Sequence, residues 1–258
     1  MRKNSISPLK LKLEWQHWFE RWEQMQNGYI PERRYRFKLM LEFPGFPKNA
    51  KIDILDLGCG PGSLSFCALE HFRAARLTAI DADPVLLAMG QKVASRLSPK
   101  IQFVQADLCR PDWWESHYGK FDLVLSATAL HWLNAKHLGQ TYQHIFRVLK
   151  PGGWFINSDH VADDDPKIQA RFREILQSRQ KQFFAKNDAD DWDGFWNGLE
   201  SAIGKTIFTK VRARRAIWEG TDDGQSRHFH FSTLKRCGFS RVEMIWQDLG
   251  EAIIAARK

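Results

Sequence analysis

Apolar positions fall into two patterns along this chain, short continuous runs in the middle and rows at helical spacing on either side. Ile52, Ile54, Leu55 and Leu57 form a run of the first kind, as expected of a parallel strand covered by helices on both faces. Residues 77–81, 103–107 and 121–126 read as further strands, and residues 148–156 as a helix end, a tight turn and a fifth strand. Gly152 and Gly153 belong to the geometry of that turn. Before this block, Trp15, Trp18, Phe19 and Trp22 recur at i, i+3, i+4 and i+7 and predict a helix; a break at Gly28-Tyr-Ile-Pro31 and a second helix from about Glu32 to Glu42 follow. After it, Phe172, Ile175, Leu176, Arg179 and Phe183 keep a helical period, as do Trp192, Phe195, Trp196 and Leu199. The chain then reads as a helix stopped at Gly238 and a hairpin from Val242–Trp246 and Ala252–Ala256.

The first strand runs directly into Gly58-Cys59-Gly60-Pro61-Gly62. Glycines there let the backbone bend sharply and approach a ligand without Cβ interference, and the next segment has helix-forming character, so its free N–H groups would face that ligand. Dehydrogenases and methyltransferases both place adenosine over such a turn, and spacing decides between them. The dinucleotide fingerprint needs its third glycine where this chain has Ser63, which argues against a nicotinamide cofactor.

Asp56-Leu-Gly58-Cys-Gly60-Pro-Gly62 resembles the first motif of the class I S-adenosylmethionine-dependent methyltransferases, acid-x-G-x-G-x-G, and the later strands match that family in order over about residues 50 to 160. The resemblance implies an α/β fold: a doubly wound, Rossmann-like seven-stranded sheet with a C-terminal antiparallel hairpin and a mostly helical cap. It implies S-adenosyl-L-methionine as cofactor, held by Asp56, Gly58, Cys59, Gly60 and Gly62 at the turn, Asp81 and Ala82 at the ribose, Asp107 and Leu108 at the adenine, and Ser126 and Ala127 at the methionine end. Arg33 and Arg36 share a helix face, so one can reach the cofactor's carboxylate; Arg36 is the choice made from the sequence. Bland readings compete, with Asp56 as a turn cap, Asp81 as a helix cap and Asp107 as a solvated loop acid, although Asp83, just before Pro84, is the better helix cap.

Residues 1–48 are expected to form an N-terminal helical cap segment, 49–159 and 232–258 the cofactor-binding core, and 160–231 a cap insertion, since the last is too long for a plain crossover and too apolar for disorder. In the family, such flanking pieces commonly close over a small acceptor. Trp22, Tyr29, Trp132, His160, Trp196 and His228 are the candidate substrate contacts. His131, just past the fourth strand, is the candidate general base and a further substrate contact, against a histidine that only packs. His228 and His230, alternating on a possible strand near Asp159 and His160, suggest a metal site, but two-residue histidine spacing is common by chance and no metal is expected. Gly204-Lys205-Thr206 fails as a phosphate loop because the preceding Gly198 has the wrong spacing and no strand leads into it.

The chain has 258 residues, 43% apolar, enough for one α/β domain with an elaboration. Its four cysteines, Cys59, Cys67, Cys109 and Cys237, lack metal or disulfide spacing and suit reduced thiols in the cytoplasm. Lys10, Lys12 and Glu14 interrupt any export signal, and no eighteen-residue apolar stretch occurs, so no membrane association is expected. The net charge of +8, with clusters at Arg33, Arg34, Arg36 and at Lys210, Arg212, Arg214, Arg215, attracts polyanions, but a solvated face is the usual meaning and no nucleic-acid module accompanies it. The reading is a small-molecule methyltransferase; the alternatives are an RNA or protein methyltransferase and a catalytically silent cofactor-binding protein.

Overall fold

A computed structural model of the chain describes residues 13–97, 101–213 and 219–258. Lys10, Lys12, Arg214 and Arg215 lie outside them. Strands β1 (Asp53–Leu57), β2 (Arg76–Asp81), β3 (Ile101–Gln105), β4 (Phe121–Ala127) and β5 (Leu149–Ala162) pair in parallel. A hairpin of β7 (Arg241–Asp248) and β8 (Glu251–Arg257) adds antiparallel to β5. The strand order 3-2-1-4-5-8-7 gives the seven expected strands, and a two-residue β6 (Gln225–Ser226) extends the end of β5. Because the order reverses between β1 and β4, a crevice opens beyond their carboxyl ends, where open α/β sheets bind ligands.

Burial on both faces explains the continuous apolar runs. One face packs Leu55, Leu57, Val124 and Phe155 under α5 (Ala135–Val148) and α9 (Arg227–Arg236). The other packs Ile54, Leu123, Leu125 and Ile156 against α2 (Arg33–Glu42) and α3 (Ser63–His71). A third cluster joins α1 (Trp15–Tyr29), α4 (Pro84–Leu97), α7 (Trp192–Ile203) and α8 (Lys205–Arg212) through Trp15, Trp18, Trp22, Val85, Met89, Phe195, Trp196 and Phe208. The aromatic row read from the sequence is thus the seam between the N-terminal helices, the insertion and the cofactor-side helix α4. Asp83 caps α4 as expected, its carboxylate accepting the Val85 N–H at 2.9 Å.

Three expectations are corrected. The N-terminal helix does not break at Gly28 but runs on to Tyr29; a Cβ at Gly28 would lie 2.4 Å from the Phe184 ring, so glycine serves close approach of α6 (Pro166–Lys186). His228 and His230 sit on α9, not on a strand, and residues two apart on a helix face nearly opposite ways. Consequently His228 is exposed while His230 is buried, bonded to the Tyr142 hydroxyl at 2.5 Å, and the two do not converge on a common site. The expected boundary at residue 232 also falls inside that helix.

Candidate active site

The glycine turn is fixed by hydrogen bonds from the neighbouring strand. Gly58 and Cys59 donate their N–H groups to the Ile80 carbonyl at 2.8 and 3.0 Å. Gly60 donates to Asp81 Oδ2 at 2.7 Å, while Asp81 Oδ1 accepts from the Asp83 N–H at 2.7 Å. Gly58, Gly60 and Gly62 have φ of 67°, 55° and 94°, the left-handed region that side chains disfavour. A Cβ at Gly58 would also lie 2.3 Å from the Ala129 Cβ. Burial pushes the Asp81 carboxyl up to about 6, against the lowering effect of those two N–H donors. Burial likewise lifts Asp56 to about 7, partly offset by the Ser65 hydroxyl that donates to it at 2.6 Å.

This donor set fits an adenosyl cofactor. A half-buried carboxylate at the tip of β2 is an acceptor suited to ribose hydroxyls, and the bare glycine backbone leaves room for a tail. Ala82 and Leu108 are buried apolar residues at the tips of β2 and of the β3 loop, and Cys59 is buried within the turn. Asp107 folds back on its own loop, accepting from the Cys109 N–H at 2.9 Å and facing Arg110 at 3.6 Å. Ser126 donates its hydroxyl to the Leu57 carbonyl at 2.8 Å, so its side chain locks β4 to β1, and Ala127 follows at the open end.

Beyond β4 the backbone turns sharply. Thr128 has φ of 48°, a strained value for a β-branched residue, and its N–H donates to the Ser158 carbonyl at 2.8 Å. The turn that follows carries His131, whose Nδ1 lies 2.6 Å from Asp159 Oδ1. Asp159 Oδ2 accepts the N–H groups of Leu130 and His131 at 2.9 and 3.1 Å, so one carboxylate sets both the turn and the ring. Burial would raise the Asp159 carboxyl, but the His131 and His160 contacts together outweigh it and hold the group at about 2. His131 Nε2 makes no hydrogen bond among the described residues. Trp132 beside it is partly exposed, in keeping with a pocket wall.

His160 meets the His131 ring edge-on at 4.5 Å and pairs through Nδ1 with Glu251 Oε1. Burial pulls its pKa down, yet the Glu251 and Asp159 carboxylates together more than compensate and leave it raised. Glu251 also holds Arg36 Nη1 at 2.5 Å, and Arg36 Nε donates to Ser158 at 2.8 Å. The two-pronged grip that the sequence assigns to Arg36 on a cofactor carboxylate is therefore spent on Ser158 and Glu251, leaving one buried nitrogen, Nη2, without a partner among the described residues. Glu251 and Asp159 are the site residues sequence reasoning missed as partners. Asp159 stood out as a strand-end acid, but nothing local linked it to His131.

The cap residues sort by position. Trp22 reaches 3.6 Å from where a Gly60 Cβ would be, placing it over the glycine turn. Trp196 is buried with its indole under the Arg212 guanidinium at 3.7 Å, and Arg212 also pairs with Asp83 at 2.9 Å, bolting α8 to the loop after β2. Tyr29 accepts the Trp192 N–H at 2.9 Å and so ties α1 to α7. From the other side, Gly220 donates to the Trp132 carbonyl at 2.7 Å, and its hypothetical Cβ would sit 2.1 Å from the His131 oxygen. Asp223 in the same strap binds Gln169 and Arg173 of α6. Gly220→Ala is expected to cost about 1–3 kcal/mol in urea unfolding through overpacking and to lower turnover by displacing His131. Wild-type stability and turnover in that variant would show that the strap does not position the turn.

Comparison with known proteins identifies the family and the fold. The profile of the family described as Methyltransferase domain matches residues 54–153. A malonyl-[acyl-carrier protein] O-methyltransferase of Enterobacter lignolyticus (strain SCF1) is 30% identical over 198 residues, 75% of this chain and 74% of that protein. A trans-aconitate 2-methyltransferase of Escherichia coli O139:H28 (strain E24377A / ETEC) is 31% identical over 100 residues, 39% of this chain and 36% of that one. The protein described as PigF with SAH shares the fold, with a TM-score of 0.52 at 15% identity, covering 93% of this chain and 66% of the other. A methyltransferase structure from Mesorhizobium loti, TM-score 0.51 and 19% identity, covers 83% and 94%. The chain belongs to the class I S-adenosylmethionine-dependent methyltransferase family. It spans about half the length of another curated relative it matches, the malonyl-[acyl-carrier protein] O-methyltransferase of Paenibacillus sp. (strain JDR-2), at 33% identity. Among the described residues, no helix is long and apolar enough to cross a membrane.

Proposed function

We propose that the protein transfers a methyl group from S-adenosylmethionine to a small organic acceptor, in the cytoplasm, with His131 as general base. The observation that carries this reading is the Asp159–His131 pair standing at the strand tips next to the glycine turn. When bound, the cofactor supplies an activated methyl group with a good leaving group already in place. The protein's part is then to hold the acceptor, exclude water and accept a proton. Asp159 keeps the proton of the neutral ring on Nδ1, leaving Nε2 as acceptor, and stabilises the imidazolium once the acceptor's proton arrives. His160, Trp132 and the aromatic residues of α1 and α7 line the approach, and helices α1, α2 and α6 to α8 act as the cap. The acids named in the relatives, trans-aconitate and a malonyl group on acyl-carrier protein, are the first acceptors to try beside hydroxyl compounds. An ionised carboxylate has no proton to give up, so towards the acids His131 positions the acceptor, and its role as base applies to a hydroxyl or amine.

The test is incubation of the protein and a metabolite extract with isotopically labelled methyl donor, alongside those two acids. Label in a small organic compound, dependent on His131, supports the reading. Label only in RNA or protein, or tight cofactor binding with no label transferred to any acceptor, contradicts it.

A further inference from the structure

With Arg36 Nε and Nη1 occupied by Ser158 and Glu251, the cofactor's charged tail needs another partner, and a second arginine is linked to the glycine turn through Glu23 and Ser63. Arg33 is 6% exposed, donates from Nη1 to Glu23 Oε2 at 2.8 Å, and has a buried Nε with no partner among the described residues. The other oxygen of Glu23 accepts from the hydroxyl of Ser63, the first residue of α3 and the one directly after Gly62. Neighbouring contacts hold this part of α1 over the turn: Trp22 lies beside Gly60, and Phe19 packs edge-on against Phe66 at 5.5 Å. Glu23 itself is 31% exposed, so a ligand can reach it.

We propose that Glu23 and Arg33 form the receptor for the zwitterionic amino-acid end of the cofactor, Arg33 taking its carboxylate and Glu23 its ammonium. An ion pair and a zwitterion are complementary in charge, so each partner swaps one opposite charge for another and no unpaired charge is buried at any stage. The amino end of α3 adds a favourable field for the carboxylate. In the free protein the pair satisfies itself, which keeps Arg33 in place while buried. The orphaned Arg33 Nε is then the donor that only a ligand completes.

This rests on the cofactor reading above, and two ligands separate the claims. S-adenosylhomocysteine carries the amino-acid end, whereas 5′-methylthioadenosine lacks it. Both are titrated calorimetrically into the wild type, Glu23→Gln and Arg33→Lys. The expected result is a loss of about tenfold or more in affinity for S-adenosylhomocysteine in each variant. Affinity for 5′-methylthioadenosine should stay within about twofold of wild type, which also shows that the variants are folded. An equal loss for both ligands would make the pair a structural strut and overturn the proposal, as would no loss for either. Failure of both ligands to bind the wild type would remove the cofactor reading together with this inference.

Discussion

Replacing Asp81 with alanine is expected to weaken cofactor binding by about 1–3 kcal/mol, a loss of roughly 5-fold to 150-fold, because charged hydrogen bonds to the ribose hydroxyls disappear. The Gly60 N–H loses its 2.7 Å acceptor in the same substitution, so the turn loosens as well. Asp81→Asn keeps the shape and part of the hydrogen bonding and should fall between. The carboxyl's raised value, about 6, adds a pH signature. Ribose hydroxyls donate to the ionised form, so binding is at full strength above that value and declines as pH falls through it, approaching about tenfold per pH unit. Asp56, lifted to about 7, sits in the same cradle and owes part of that rise to the Asp81 charge, so Asp81→Asn should remove the lower inflection and move the upper one down. Calorimetry with S-adenosylhomocysteine from pH 5 to pH 8 reads both effects. Unchanged affinity in Asp81→Ala would remove Asp81 from the ribose site.

His131→Ala is expected to lower turnover by about a hundredfold to ten-thousandfold, the usual contribution of a positioned general base, with cofactor affinity left nearly intact. Asp159→Asn should cost a comparable amount by another route. An amide cannot support the imidazolium, and its NH2 group can drive the ring into the wrong tautomer. The neighbouring backbone feels it too, since Asp159 also accepts the N–H groups of Leu130 and His131. Double substitution should lose little more than either single change, because the two act as a unit. Additive losses would mean that they serve separate functions, and full activity in His131→Ala would make the histidine a packing residue.

What the sequence revealed follows from how local each signal is. The glycine turn, Asp81 at the end of β2 and the aromatic helical rows are written in neighbouring residues and appear where expected, whereas β3 covers Ile101–Gln105 and leaves Asp107 on the loop beyond it. The same holds for Asp83 at the α4 cap. Contacts between distant segments were not legible. Arg36 meets Ser158 and Glu251 across 122 and 215 positions, so its capture by an internal ion pair depends on how α2, β5 and β8 come together. Arg33 shared the same helix face, and only the packing of α1 over Ser63 distinguishes the two. His228 and His230 misled for a different reason: a two-residue repeat fits a strand, but Ser226, accepting the Phe229 N–H, starts a helix there.

The most direct test is the X-ray structure of a complex with S-adenosylhomocysteine. The ribose hydroxyls should lie about 3 Å from the Asp81 carboxylate, the sulfur should face the cleft beside His131, and the amino-acid end should rest at the glycine turn. A nucleoside bound elsewhere, or bound here with Asp81 turned away from the ribose, would contradict the account.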